Sequence, residues 1–426
     1  MVKNENKRPV GVFIKTRGEK IMSQFKKYLI GVLGLIGTVA GVLFISGLYP
    51  KMDVPVNKVV NHGGYEEIGQ GESLRDPSQL MPLEEKAHLI KRGLNQDLRP
   101  VKKEPVKVKG IYMSGAAFNS TKLFSYLVNL VDETELNALV IDIKDDNGYL
   151  TTDLDVQLAR ELKIRTHKGL NPEENMKLLL SKDVYAIARI VVFKDPSLAE
   201  KKPELALRRS DGTIWRDRKK LAWVDPNNKE VWEYTVNVAK EAVKMGFREI
   251  QFDYVRFPSD GNMKDVVYPY GDGSKKEDVI HEFLQYAKKE LEPYHVFLAA
   301  DVFGLTTMTL DDMGIGQKFE KIITAVDYVC PMVYPSHYGT GNYGFAHPNA
   351  YPYEVVNRAL LDGLQKVGEG SVVIRPWLQD FNLGQPAYGA AEVRAQIKAT
   401  YDAGLEEWIL WNAGNKYTAG ALLKAD

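Results

Sequence analysis

From about residue 108 onward the chain alternates short apolar runs with longer amphipathic ones. Eight runs read as strands: 109–114, 138–143, 185–192, 249–255, 296–302, 328–334, 372–378 and 407–412. The spacing between them predicts helices over 121–131, 172–181, 229–245, 278–290, 353–366 and 390–402, and a closing one over 418–424. In 229–245, Val231, Tyr234, Val238 and Val243 fall broadly on one helical face. Strands alternating with helices imply a parallel sheet. Eight such units in about 320 residues match an α/β fold of the (β/α)8, or TIM-barrel, type with insertions. The competing fold is an open doubly wound sheet, which normally carries a Gly-rich phosphate loop after its first strand. Here that position reads Ser-Gly-Ala-Ala-Phe-Asn over 114–119, without the GxGxxG spacing.

The N-terminal part follows a different pattern. Residues 1–27 hold eight lysines and arginines against Glu5 and Glu19, and read as a basic cytoplasmic tail. Residues 28–49 are an uncharged apolar run ending at Pro50. At 1.5 Å per residue the run just crosses a hydrocarbon core of about 30 Å. The basic flank is expected to stay inside, which sends the rest of the chain across the membrane. A cleaved signal peptide is the alternative, but its apolar core is normally shorter, about 7–15 residues. Gly31, Gly34, Gly37 and Gly41 give the run a small-residue spacing suited to helix pairing, and equally to lipid exposure. Residues 50–107 read as a stalk, with one possible helical piece over 82–94 and an extended basic end. Residues 108–426 are the barrel.

Composition narrows the functional classes. Lys and Arg balance Asp and Glu at 56 each, so no basic excess points to nucleic acid. Cys330 is the sole cysteine, which excludes an intrachain disulfide or a cysteine-based zinc cluster. It falls in an apolar strand and reads as a core residue. Six Trp and 22 Tyr allow sugar-stacking platforms, although most such rings pack in cores.

In a barrel of this type, chemistry sits at the C-terminal ends of the strands. Several polar residues fall there. Strand two carries Asp142 and Lys144, whose alternation with Ile141 and Ile143 predicts one shared side. Strand three carries Arg189. Strand four ends in Asp253, followed by Tyr254 and Arg256. Strand five ends in Asp301. Tyr334 and His337 follow strand six, Arg375, Trp377 and Gln379 lie at strand seven, and Trp411 and Asn412 end strand eight. A buried carboxylate costs several kcal/mol unless it is paired. Asp142, Asp253 and Asp301 therefore require donors, for which Lys144, Arg189, Arg256 and Arg375 are available. Ion pairs that merely close the barrel top would also satisfy them.

Two carboxyls across an aromatic cleft suit glycoside hydrolysis. One protonates the leaving oxygen and the other attacks the anomeric carbon or activates water. The ionised partner needs cationic neighbours, and the acid needs its pKa raised by burial. Asp253, between Arg189 and Arg256, fits the first role. Asp301, after Ala299 and Ala300, fits the second. The other polar and aromatic residues named above are assigned to substrate binding. No metal and no cofactor enter this reading.

The segments Gly110-Ile-Tyr with Ser114-Gly115, Val140-Ile-Asp-Ile-Lys-Asp145 and Phe252-Asp-Tyr-Val-Arg-Phe-Pro258 resemble the bacterial putative glycoside hydrolase family. That resemblance spans nearly all of 108–426 and implies an often membrane-anchored barrel hydrolase. Residues 246–253 are more distantly similar to strand four of the α-amylase and α-galactosidase clans. That likeness implies that Asp253 is the nucleophile. The chain departs from the amylase pattern at Gln251, where that pattern has Arg, and at Asp301, where it has Glu.

Three further features carry alternatives. The run Asp145-Asp-Asn-Gly148 could form an oxygen-rich Ca²⁺ or Mg²⁺ loop, or simply a turn. His337 and His347, in the loop after strand six, could touch substrate. The segment 211–217 reads as a hairpin or lid, with Trp215 and Trp223 as one cleft wall. The functional expectation is a membrane-anchored extracellular hydrolase of a cell-wall, capsular or matrix polysaccharide. A catalytically inert barrel that binds glycans or scaffolds the envelope is the alternative. A deacetylase is disfavoured, because no Asp/His/His triad falls at the strand ends.

Overall fold

The computed structural model describes residues 105–167 and 172–425. The basic tail, the apolar run 28–49 and the stalk as far as residue 104 lie outside the described residues. Among those described, no helix is long and apolar enough to cross a membrane.

The strands are β1 (Lys109–Met113), β2 (Ala138–Lys144), β3 (Tyr185–Val191), β4 (Glu249–Asp253), β5 (Phe297–Phe303), β6 (Tyr328–Met332), β7 (Val373–Ile374), β8 (Trp377–Gln379) and β9 (Trp408–Trp411). They run in the order β5-β4-β3-β2-β1-β9-β8-β6-β7, and the β5–β6 pairing closes the ring. Every ladder is parallel. β7 and β8 pair with β6 in succession and form one stave, interrupted at Arg375-Pro376. Proline has no N–H to give the ladder. The result is the expected eight-staved α/β barrel.

The longer helices are α1 (Thr121–Glu133), α2 (Pro172–Ser181), α3 (Lys229–Lys244), α4 (Lys276–Leu291), α5 (Pro352–Val367) and α6 (Ala390–Asp402). Sequence sets where they start. Ser120 caps α1 by accepting from the Leu123 N–H, and Asn228 caps α3 by accepting from the Glu230 N–H. In α3 the buried face is Val231, Tyr234, Thr235, Val238, Ala239 and Ala242, the spacing of a core-facing stripe. Each fully buried Val or Leu on such a face contributes roughly 1.5–3 kcal/mol.

The expected last helix does not form. Residues Ala419–Ala421 make one 3-10 turn, and the chain then runs extended beside Thr134. Glu135 N–H donates to Leu423 O, Ala425 N–H to Glu133 O, and Leu423 N–H to the Glu135 carboxylate. These tertiary bonds outweigh the weak helical preference of a segment containing Gly420.

One apolar cluster fills the space between staves and helices. A second, including Tyr112, Val140, Ile187, Ala299, Cys330, Trp377 and Ile409, fills the barrel itself. Beneath it lies a dry ion triad. Arg375 donates from Nη1 to Glu249 at 2.7 Å and from Nε to Glu407 at 2.7 Å. Val108 N–H also donates to Glu407. The chain therefore enters at the N-terminal end of the staves, opposite the polar rim.

Candidate active site

The upper barrel layer is built from inward-facing residues at the C-terminal ends of β2 to β8. Arg189 on β3 is its centre. It is 4% exposed. Nη1 donates to Asp142 Oδ1 at 2.5 Å, and Nε donates to Asp253 Oδ2 at 3.1 Å. Nη2 also donates to Asp253 Oδ2. The fork thus bridges the carboxylates of β2 and β4. Burial opposes the arginine's charge, but Asp142 and Asp253 hold its pKa well above the usual value. Asp142 is secured further by the Tyr112 hydroxyl at 2.5 Å. Burial pushes its pKa up to about 6 against the pull of Arg189.

Asp253 ends β4, and its Oδ1 accepts from the Tyr254 N–H at 2.5 Å. Tyr254 has φ +49, the left-handed region that a non-glycine residue adopts at a cost. That turn stops the strand and places Tyr254 on the pocket wall. Asp301 lies one step away on β5, 1% exposed. Its Oδ1 accepts from Gln251 Nε2 at 2.5 Å and Trp377 Nε1 at 2.6 Å, while Oδ2 has no partner. Burial, with the neighbouring Asp253 charge, holds its pKa far above the carboxylate range. The layer therefore sets Asp301, whose protonated form burial favours, beside an Asp253 held by the Arg189 fork.

A pocket opens above this layer. Arg189, Asp253, Tyr254, Arg256, Tyr334, His337, Trp377 and Trp411 line it. All eight were expected at the site from sequence. Trp377 and Trp411 meet edge to face with centroids 5.5 Å apart, and Tyr334 meets Phe381 in the same way at 5.3 Å. Burial lowers the His337 pKa to about 4, so its ring is neutral at pH 7. Its Nδ1 lies 3.0 Å from Ser336 Oγ.

Other expected residues lie elsewhere. Arg375 is not at the mouth. It sits two residues below Trp377 on the same stave and belongs to the bottom ion triad. Lys144 does not share a side with Asp142. The β2–β3 register shifts between them, so that Asp142 faces Arg189 while Lys144 faces Ile190. Lys144 turns into the helix layer, donates to Asp195 at 2.8 Å and lies over the Tyr234 ring. Asp142 and Asp301 support the floor without lining the pocket. Gln379 is fully buried and accepts from the Ser336 N–H, which holds the His337 loop. Asn412 donates to Asp380 O and caps the turn at Gly414. Trp215 and Trp223 are each 1% exposed and back the wall rather than form it. His347 is exposed and lies outside the lining. Asp145 organises a turn by accepting from the Asn147 and Tyr149 N–H groups.

Sequence reading missed Lys219, Phe303, Met332, Phe381 and Ala413, and weighed Asp146 only as a metal-loop residue; these six complete the lining. Asp146 binds Lys194 at 2.8 Å. Position just beyond a strand end would have flagged Phe381 and Ala413. Nothing local in the sequence marks Lys219, which reaches the pocket from the long β3–β4 insertion.

The family model described as "Putative glycosyl hydrolase domain" matches residues 110–417. Comparison with curated protein sequences finds no match. Among solved structures, a hypothetical protein from Ruminiclostridium thermocellum is 39% identical, covering 48% of this chain and 98% of its own, with a TM-score of 0.42. The glycoside hydrolase domain of PgaB (BpsB) from Bordetella bronchiseptica is 10% identical over 73% of this chain and 95% of its own, with a TM-score of 0.55. At that identity the likeness concerns the barrel fold. An α-galactosidase from Thermus thermophilus is 13% identical over 78% of this chain and 62% of its own, with a TM-score of 0.47.

Proposed function

Since the chain belongs to the putative glycosyl hydrolase domain family, we propose that it cleaves glycosidic bonds in an extracellular polysaccharide of the cell wall, capsule or matrix, using Asp253 and Asp301. The observation that carries this reading is the adjacency of two carboxyls on neighbouring strands, Asp253 at the pocket held by the Arg189 fork and Asp301 buried behind it, where burial favours the protonated form. Asp253, held by Arg189, attacks the anomeric carbon or activates a water. Asp301 supplies the proton to the leaving oxygen. Trp411 and Tyr254, the half-buried rings of the lining, offer faces to the sugar, while Trp377 and Tyr334 are buried in the wall.

Residues 28–49 anchor the chain in the membrane, with 1–27 inside, 50–107 as the stalk and 108–426 outside. The entry of the chain at the bottom of the barrel supports this arrangement, because it turns the pocket away from the tether. Protease added to intact cells should remove the barrel and spare residues 1–27. Protection of the barrel would refute that orientation.

A catalytically inert, glycan-binding barrel has one observation in its favour. Asp301 is buried and does not line the pocket, so a proton passing from it to substrate needs a side-chain rearrangement or a bridging water. A leaving-group test separates the readings. Asp301→Asn should slow cleavage of polysaccharides by about 10²–10⁴. It should slow aryl glycosides much less, because their leaving oxygen needs little protonation. Equal losses on both substrates would remove Asp301 from the acid role. Absence of new reducing ends with any polysaccharide would favour the inert barrel.

A further inference from the structure

Two cations of the pocket wall, buried Arg256 and exposed Lys219, have no ion-pair partner among the described residues. Arg256 is 6% exposed, yet no carboxylate among the described residues lies within ion-pair distance of it. Its Nη1 donates to Phe257 O at 3.0 Å and Ser259 Oγ at 3.3 Å. The guanidinium makes no other hydrogen bond among the described residues, and Arg256 lines the pocket. The guanidinium is held in an aromatic box, 5.0 Å from the Trp223 ring, 5.0 Å from Tyr254 and 4.8 Å from Phe303. Lys219 also lines the pocket, with no ion-pair partner among the described residues.

A buried guanidinium is costly without an anion. The box fixes its position but does not neutralise it. Burial lowers the pKa of Arg256, and Asp253, Asp260 and Asp217 act on it only from beyond contact. Burial and the Lys194 charge lower the pKa of Lys219. The missing anion fits a substrate group. The two carboxylates of the lining are each engaged by a cation, Asp253 by Arg189, which it shares with Asp142, and Asp146 by Lys194, which reduces their repulsion of that group.

We infer that the pocket takes an acidic sugar, whose carboxylate or sulfate lies against Arg256 and Lys219 beside the bond held over Asp253. The inference deepens the glycosidase reading and rests on it for the sugar. A planar fork with free donors suits a two-oxygen anion, and a nearby ammonium adds a point charge.

Calorimetry on the full-length Asp253→Asn variant tests this without turnover. The ligands are an oligouronate, a sulfated oligosaccharide of equal length, and the same oligouronate after reduction of its carboxyls to alcohols. One acidic ligand should bind roughly tenfold to hundredfold tighter than the reduced one. The stronger acidic arm identifies the anion. Adding Arg256→Gln or Lys219→Met should narrow that preference, and Arg256→Lys should keep part of it. Should Arg256→Gln fail to fold, Lys219→Met and Arg256→Lys carry the test. Equal binding of all three ligands, no binding of either acidic one, or a preference that survives both substitutions overturns the inference. Wild-type hydrolysis is read separately. Cleavage of neutral polymers alone defeats the acidic sugar and leaves the hydrolase. Arg256-dependent binding of an acidic sugar without any cleavage does the reverse.

Discussion

Replacing Arg189 with Met should destabilise the barrel in a pH-dependent way. The side chain is nearly isosteric in length, so the main loss is the cation that bridges Asp142 and Asp253. Removing one partner of a buried ion pair costs about 3–5 kcal/mol, because the remaining charge is left uncompensated. Here two carboxylates are left, and each relieves the penalty by taking up a proton. The folded pKa of Asp142 then lies further above the unfolded value near 3.9, and Asp253 loses the cation that favoured its charged form. An acid with a raised folded pKa favours the fold while protonated and loses that stability as pH rises. The slope is about 1.4 kcal/mol per pH unit for each carboxyl that titrates. In the wild type, Asp142 is half titrated at its value of about 6, so from pH 6 to pH 8 it loses only the last half of its proton. The larger part of the slope between pH 6 and pH 8 therefore belongs to the variant. Urea unfolding followed by tryptophan fluorescence at the two pH values should show the gap between variant and wild type widening from pH 6 to pH 8. A gap of equal size at both would mean that the arginine acts through packing, and that the charge account of the site is wrong.

Three other outcomes follow from the geometry. Arg375→Met should cost about 3–5 kcal/mol in unfolding assays by stranding Glu249 and Glu407, with KM for glycans unchanged, whereas a stable variant with raised KM would return Arg375 to the pocket. Trp377→Phe keeps a ring but removes the donor to Asp301, so the alkaline limb of the pH–rate profile should move to higher pH, and a limb that stays or moves down would contradict the assignment. Gly148→Ala should destabilise by about 1 kcal/mol or more in thermal unfolding, because φ is +75 and the new Cβ would clash with Asp195 Oδ1 of the Lys144 ion pair. A neutral effect there would require the Asp145–Gly148 turn to yield freely.

The eight staves were readable because barrel strands are buried on both faces and so form apolar runs. The break at Arg375-Pro376 did not hide the seventh, since both halves remain apolar. Depth within the barrel was not readable. Arg375 and Trp377 point the same way, and only the closed ring shows that the first belongs to the bottom layer. Strict alternation misplaced Lys144, because one extra residue in β2 reverses the side on which it emerges. The closing helix failed because its competitor, the backbone of 133–135, is distant in sequence. Asp253, Tyr254 and Arg256 were found together because they follow one another at a strand end. Lys219 comes from an insertion whose path only tertiary packing decides.

The most direct test of the central claim is the release of reducing ends from acidic polysaccharides by the wild-type chain and by Asp253→Asn. The substitution is nearly isosteric, keeps an acceptor for Arg189 and removes the negative charge. The account predicts new reducing ends with the wild type and a loss of about a thousandfold or more in the variant, with ligand binding retained. Undiminished hydrolysis by Asp253→Asn would contradict it.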